Sequence, residues 1–391
     1  MGFEEGLLGL AFLLALAALG YQLLAMWVLR VWQPVLTNTD ATFLPHTIQD
    51  LPALSLLKPL HGDDGNLYAC LRSFCLQDYP RYEMVCGVQD AADPAVAVVQ
   101  RLQQEFPALP LRWILSDKLL GCNPKVNNLA GILAACNHDL LLISDADIVV
   151  GPQYLHHLLT PLMDSQTGVL TCLYRGLPDH HFSSRLLASQ INSLFLPSVR
   201  VSAHLGPNIF CGGATMALQC STLEAIGGLE SLADQLADDY WLGARARQLG
   251  KATILSDYVV DTQVHEASFR TFYQHALRWS RTTRSVQPLG HFFSFFSYPL
   301  PLVAVLTPWM FWGAGYWGII PLGMVLLLRL VYHRQIMHKL GATDSLGAAL
   351  LADFLGLWIW FHALFARRVA WRGSQYAVTA DGRLNGHDGV T

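Results

Sequence analysis

The order of apolar and polar positions divides the chain into membrane-like ends and an alternating middle. From Leu7 to Leu29 no charged residue interrupts the run, and about 23 helical residues rising 1.5 Å each cover the roughly 30 Å of a bilayer's hydrocarbon core. This predicts an anchor over residues 1–32 rather than a cleaved leader, because Glu4 and Glu5 stand where a leader carries basic residues. Trp27 and Trp32 fall at the interface, and Arg30 marks that flank as cytoplasmic. A second uncharged stretch, Val286 to Leu328, is broken by Pro299, Pro301, Pro308 and Pro321, and a third runs from Leu346 to Phe365 despite Asp353, closed by Arg367 and Arg368. Together they predict an interfacial aromatic segment over His291–Tyr298, about three spans within residues 286–370, and a polar tail over 371–391.

Residues 50–285 read differently. Apolar runs begin at Leu54, Tyr82, Leu111 and Leu140, and helical patterns cover Asn66–Leu76, Ala95–Phe106 and Asn127–Cys136. Strands alternating with helices predict an α/β domain with a mostly parallel sheet. In Leu140-Leu-Leu-Ile-Ser-Asp-Ala-Asp-Ile-Val-Val150 a buried strand ends in the open with Asp145 and Asp147 at its tip, the sheet edge where such folds keep ligands. Two hard oxygen ligands suit Mg²⁺ or Mn²⁺, while a solvated turn is the plainer reading. The Tyr82 strand ends in Asp90 and Asp93, which singly would be a turn former and a helix cap. Two acid-tipped strands in one sheet point to a nucleotide site, one tip reading base or ribose and the other holding metal and diphosphate.

Composition narrows the class. The chain is 52% hydrophobic and 14% charged, against roughly 25% charged in soluble domains, so part of it lies in a membrane. A net charge of -4 with no long basic run excludes nucleic acid as a partner. The 8 cysteines form no CxxC pair and no Asn-x-Ser/Thr sequon occurs, which fits a catalytic part in a reducing cytosol.

Four further stretches carry candidate chemistry. Gly121–Leu129 offers a helix start with Lys125 as a phosphate or sugar cradle, or a capping loop with Asn127 as the cap. Phe182–Leu205 is amphipathic and is read as lying on the bilayer rather than in the core. Within Phe210–Leu218, Gly212 and Gly213 after Cys211 let backbone approach a ligand. Asp238 and Asp239 open a helix that Gly250 stops; acids there are dipole partners, or one of them is a base. Last, Phe269–Arg284 is basic, aromatic and helical, either a snorkelling interfacial helix or one that uses His275 and Arg278 on a diphosphate and Trp279 as an acceptor wall.

The ordered motifs VQDAADP, NPKVNNL, SDADI, ADDYWLG and HALRW, with the LLKPLHG opening and the CGGATMAL element, resemble the ceramide glucosyltransferase family of membrane-bound inverting glycosyltransferases. The likeness runs from about Leu54 to Arg284, and HALRWSRTTRSVQPLG resembles the bacterial branch assigned to hopanoid biosynthesis. The resemblance implies a GT-A fold, a UDP-sugar donor, Mg²⁺ or Mn²⁺, and a membrane lipid hydroxyl as acceptor. It also implies a bacterial inner-membrane location with a cytoplasmic catalytic domain. In the hopanoid branch N-acetylglucosamine goes onto bacteriohopanetetrol; the alternative is glucose onto ceramide.

Carried over by motif, Asp93, Asp145 and Asp239 are the first, second and third aspartates, Asp239 being the base, and Arg278-Trp279 ends the Q/R-x-x-R-W signature. The chain departs at that signature's first position, where His275 replaces glutamine or arginine. Lys58, Asp90, Asp93, Lys125, Asn127, Asp145, Cys211, Gly212, Gly213 and Asp238 are assigned to the donor, and Asp145 and Asp147 to the metal. A processive polysaccharide synthase shares the aspartates but needs more spanning helices. A membrane-bound sugar-nucleotide-binding protein without turnover would lack UDP release on adding acceptor.

Overall fold

The computed structural model describes residues 2–37, 51–365, 368–371, 374–379 and 382–385. Residue 50, Arg367 and the end of the tail, all used above as boundaries, lie outside the described residues. Two compact units form: Pro34–Arg175 with Pro207–Gln263 and Gln375–Thr391, and Met1–Gln33 with Gly176–Gly206 and Val264–Ser374.

The first unit is built on a nine-stranded sheet. In chain order the strands are β1 (Val35–Leu36), β2 (Leu54–Pro59), β3 (Tyr82–Val88), β4 (Leu111–Leu115), β5 (Leu140–Ile143), β6 (Ile148–Val149), β7 (Thr167–Pro178), β8 (Met216–Gln219) and β9 (Ala252–Val264). Their order is β1-β9-β7-β8-β5-β2-β3-β4, with β6 beside β9. β2 is parallel to both β3 and β5, so their carboxyl ends share one edge. Every residue of β2, β3 and β5 is buried, as expected of strands covered on both faces. The pleat sorts them: Leu56, Met84 and Leu142 join the core on one face, and Leu57, Val85, Leu141 and Ile143 meet Val126, Leu129 and Ile132 on the other. β8 enters antiparallel between β5 and β7, an exception to the parallel pattern that no crossover helix announces.

Two local readings change. The helix expected from Asn127 runs from Pro124 to Ala134, because Asn123 is its cap, its side chain accepting from Lys125 N at 2.9 Å and Val126 N at 3.2 Å, with proline in the first turn. In the tail, Ala377 and Val378 pair antiparallel with Asn385 and Leu384. The Leu384 N–H donates to Asp234 O at 2.7 Å and the Leu236 N–H to Gly382 O at 3.1 Å.

The second unit is helical. Among the described residues, Glu4–Val31, Pro299–Leu340 and Leu346–Ala363 are long and apolar enough to cross a membrane. The middle one is two helices, Pro299–Ala314 and Ile320–Leu340, joined by a 3₁₀ turn over Gly315–Ile319. Ala11, Ala15 and Ala18 pack against Leu300, Val303 and Met310, small residues permitting close helix approach where burial from water supplies little. Asp353 is matched by Arg329, with Nε and Nη2 donating at 2.6 and 3.0 Å.

Phe182–Leu205 does not lie on a surface. It forms helices Phe182–Gln190 and Leu196–Leu205 around a π turn at Ile191–Phe195, and Leu186, Leu187, Ile191, Asn192, Leu196 and Val201 are all buried. The extra residue of the π turn turns Asn192 inward, where it bonds Gly176 N at 2.8 Å, Gly176 O at 3.0 Å and Asp344 Oδ2 at 3.0 Å. An amphipathic pattern alone does not say what covers the apolar face.

Candidate active site

β5 stops at Ile143, and the next residues turn away instead of pairing. Ser144 N still reaches Leu57 O at 3.2 Å, but Asp145 N donates to Gly213 O at 3.1 Å, in the loop ahead of β8. Beneath the turn lies Lys58, 0% exposed, donating to Ser144 Oγ at 3.0 Å and Asp145 O at 2.8 Å, with its ammonium 3.5 Å from the centre of the Phe74 ring. Burial pushes Lys58 down to about 7, against the pull of Asp145 and Asp147. The structure therefore places Lys58 as a brace under the acid turn and not on a ligand-facing surface.

Above the turn the charges converge. Lys125 Nζ is 2.8 Å from Asp145 Oδ1 and 3.4 Å from Asp238 Oδ2. Burial opposes its charge, but Asp145, Asp238 and Asp239 hold its proton well above the ordinary lysine range. Asp239 Oδ2 accepts from Gly213 N at 2.9 Å and Oδ1 from Tyr240 N at 2.7 Å. A Cβ on Gly213 would lie 2.5 Å from Asp145 Oδ2 and 2.8 Å from Lys125 Nζ. Asp145 and Asp239 thus meet across a glycine, and a methyl there would force the ends of Asp145 and Lys125 to shift. Burial and the neighbouring Asp238 push Asp239 up to about 6, the range of a carboxyl able to accept a proton near neutrality.

Asp147 is partly buried and accepts from Thr262 Oγ1 at 2.7 Å. Burial, then the charge of Asp145, pushes it up to about 6. A cation beside Asp147 would relieve the charge that Asp145 sets against it, so this hard-oxygen pair fits Mg²⁺ or Mn²⁺.

The loops that present these groups are laced together. Asn123 Nδ2 donates to Gln235 O at 2.8 Å, Cys122 N to Asp234 Oδ1 at 2.8 Å and Asn123 N to Ala233 O at 2.8 Å. Asn127 is spent within its own loop, accepting from Leu120 N at 2.8 Å and Gly121 N at 3.1 Å and donating to Gly121 O at 2.8 Å. Cys211 is buried, and a Cβ on Gly243 would come within 2.9 Å of its Cβ. Gly212 N donates to Thr171 Oγ1 at 3.1 Å.

At the β3 tip, Asp93 accepts from Gly62 N with both oxygens at 3.0 Å and from Ala95 N at 2.9 Å, joining the β2 exit loop to the helix Ala95–Glu105. Asp90 is exposed and accepts from Ala92 N at 2.9 Å. A cavity of about 470 Å³ opens elsewhere, at the amino end of β5 beside His138, Asp139 and Glu224, and Asp145, Asp147, Asp238 and Asp239 do not line it.

Both the sequence and the fold have counterparts among known proteins. The sequence pattern of glycosyl transferase family 21 matches residues 10–384. The chain belongs to this family. Ceramide glucosyltransferase 1 of Caenorhabditis elegans is 25% identical over 352 residues, 85% of this chain and 73% of that protein. Ceramide glucosyltransferase 3 of the same organism is 23% identical over 253 residues, 63% of this chain and 54% of that one. A mannosyltransferase from Pyrobaculum calidifontis, solved in complex with GDP-Man and Mn²⁺, superposes with a TM-score of 0.55 over 90% of this chain and 99% of that chain, at 20% identity. The fold is mixed α/β and GT-A-like, and the family 21 chain is a glycosyltransferase.

The HALRW segment lies on the helix Phe269–Val286, capped by Ser268, whose Oγ accepts from Thr271 N at 3.2 Å. His275 Nδ1 is 2.6 Å from Glu266 Oε1, and its ring meets the Trp279 ring at 4.3 Å and 69°. Burial lowers the His275 pKa; Glu266 opposes that and Arg278 adds to it. In the same unit Asp179 Oδ2 lies 2.8 Å from His181 Nδ1 and 2.6 Å from His265 Nδ1. The reading of the sequence passed over Glu266, Thr262, Asp179, His181 and His265, for they stand in no motif and are joined only by the fold.

Proposed function

We propose that this family 21 enzyme transfers a hexosyl unit from a UDP-sugar to a lipid hydroxyl with inversion. The observation that carries the reading is Asp239: partly buried, tuned to about 6, and bonded to the glycine that also spaces Asp145 and Lys125. Asp239 takes the proton of the lipid hydroxyl as that oxygen attacks the anomeric carbon from the face opposite UDP. The bond from C1 to the UDP oxygen breaks, and no covalent enzyme intermediate is needed.

Asp145 and Asp147 would hold Mg²⁺ or Mn²⁺, which when bound offsets the diphosphate charge. Lys125 adds a fixed cation, and the signature residues His275 and Arg278 are assigned to the leaving diphosphate, with Trp279 as a wall of the acceptor pocket. Asp90 and Asp93 are assigned to the uridine. The apolar helices keep the enzyme at the membrane that holds its acceptor, on the cytoplasmic side of a bacterial inner membrane.

For the acceptor, the HALRWSRTTRSVQPLG segment favours a polyhydroxylated hopanoid receiving N-acetylglucosamine. The second reading, glucose onto ceramide, is favoured by the ceramide glucosyltransferase relatives. Membranes carrying the enzyme are incubated with UDP-glucose or UDP-N-acetylglucosamine and with each lipid, and product masses are read. An N-acetylglucosaminyl hopanoid is expected; only glucosylceramide would select the second reading, and neither product with any UDP-sugar would remove both.

A further inference from the structure

We propose that Glu266 is the positioning residue of His275, holding the imidazole by Nδ1 so that Nε2 serves as a phosphate donor, in place of the glutamine or arginine otherwise expected there. The proposal rests on the reading above that His275 acts on the leaving diphosphate.

The geometry points to a built dyad and not a chance contact. Glu266 is 6% exposed, and its backbone is fixed by Ser184, whose Oγ accepts from Glu266 N at 2.7 Å, and by Ser183, whose hydroxyl donates to Glu266 O. Its carboxyl meets His275 Nδ1 at 2.6 Å while the Trp279 ring closes on the imidazole from one turn later. The ring therefore has one nitrogen committed, and the His275 side chain is still 30% exposed.

That commitment has a chemical consequence. A neutral imidazole whose one proton sits on Nδ1 presents only a lone pair at Nε2, which repels a phosphate oxygen. His275 can donate to phosphate only as imidazolium, with Nδ1–H on Glu266 and Nε2–H on the ligand. The second proton comes from solvent when the diphosphate binds and returns to it on release.

The charged groups acting on the ring are Glu266, which favours the imidazolium, and Arg278 on its own helix, which with burial disfavours it. Among the described side chains, the other ionisable groups on the elements packed against this helix are Arg185, Asp353, paired with Arg329, His362, held by Tyr273, and His291, held by Ser280. Glutamine or arginine at this position would donate without titrating.

The test is UDP affinity of the purified full-length enzyme against pH, with thermal melting as a check of folding. Wild-type affinity is expected to fall as pH rises, approaching tenfold per unit for one proton. E266Q should move that fall to lower pH, losing several-fold affinity at neutral pH and little in acid. H275R should flatten the profile, and E266Q added to H275R should change affinity no further; H275Q replaces H275R if the arginine variant does not fold. A wild-type profile retained in H275R and H275Q would overturn the diphosphate reading itself. A flattened H275R profile with E266Q unmoved, or E266Q losing equal affinity in both backgrounds, would overturn the role of Glu266 alone.

Discussion

Gly213 donates its N–H to Asp239 Oδ2 at 2.9 Å, and its carbonyl accepts from Asp145 N at 3.1 Å. One residue thus sets the spacing between the acid of the β5 turn and the acid of the helix Asp238–Gln248. Neither element touches the other in sequence, so their register depends on a loop that reaches both.

The role of Asp239 makes the first prediction. Asp239→Asn keeps a carbonyl oxygen for Gly213 N but no longer accepts a proton, so kcat should fall by about 10²- to 10⁴-fold while UDP-sugar binding stays near wild type. Isothermal titration with donor alone separates the two. Lost donor binding would reassign the residue to the nucleotide.

A pH limb should appear on the acid side. Asp239 must be deprotonated to act, and burial with Asp238 holds it at about 6; kcat should therefore rise with pH through about 6 and level above it. Asp238→Asn removes the like charge and should shift this limb toward lower pH.

Lys125→Met gives the opposite sign. The ammonium lowers Asp239, so its loss should move the acid limb to higher pH. Leaving Asp145 and Asp238 without their partner should also cost about 3 kcal/mol at neutral pH. Chemical denaturation of the variant beside the wild type would read this loss.

Gly213→Ala tests the spacing. The added methyl meets a carboxylate oxygen at 2.5 Å and an ammonium at 2.8 Å, so the ion pair must part. Donor affinity should drop at least tenfold with the melting temperature nearly unchanged, since the clash falls on the site and not on the core. An unaltered dissociation constant would show that the pair opens freely when donor binds.

In the helical unit, Arg329 and Asp353 are 2% and 1% exposed. Removing either alone should cost about 3–5 kcal/mol by stranding a buried charge, whereas Arg329→Met with Asp353→Leu should recover much of that loss. Thermal melting in detergent compares the three.

The alternation of strand and helix was legible because β2, β3 and β5 are buried on both faces and so are mostly apolar, with only Ser55, Lys58 and Glu83 as polar members; β3 and β4 begin and end at the residues their patterns predict. The acid tips were legible for the same reason, since a charge ending such a run has to leave the sheet. β8 was harder to place, because strand direction is not written in four residues. Side-chain commitments were invisible in sequence: Asn127 and Lys58 look like ligand groups until the structure shows Asn127 bonded to backbone and Lys58 buried under a turn. Conversely Gly213 had a visible signal, the doubled glycine, whereas Glu266 depended on how a connecting segment folds back onto a helix.

The antiparallel pair near residues 377 and 385 is stitched to Asp234 and Leu236, a few residues ahead of Asp239. Chain from beyond the apolar helices therefore returns to brace the loop that leads into Asp239. Cutting the backbone ahead of residue 374 would leave every strand of the large sheet in place and still loosen that loop.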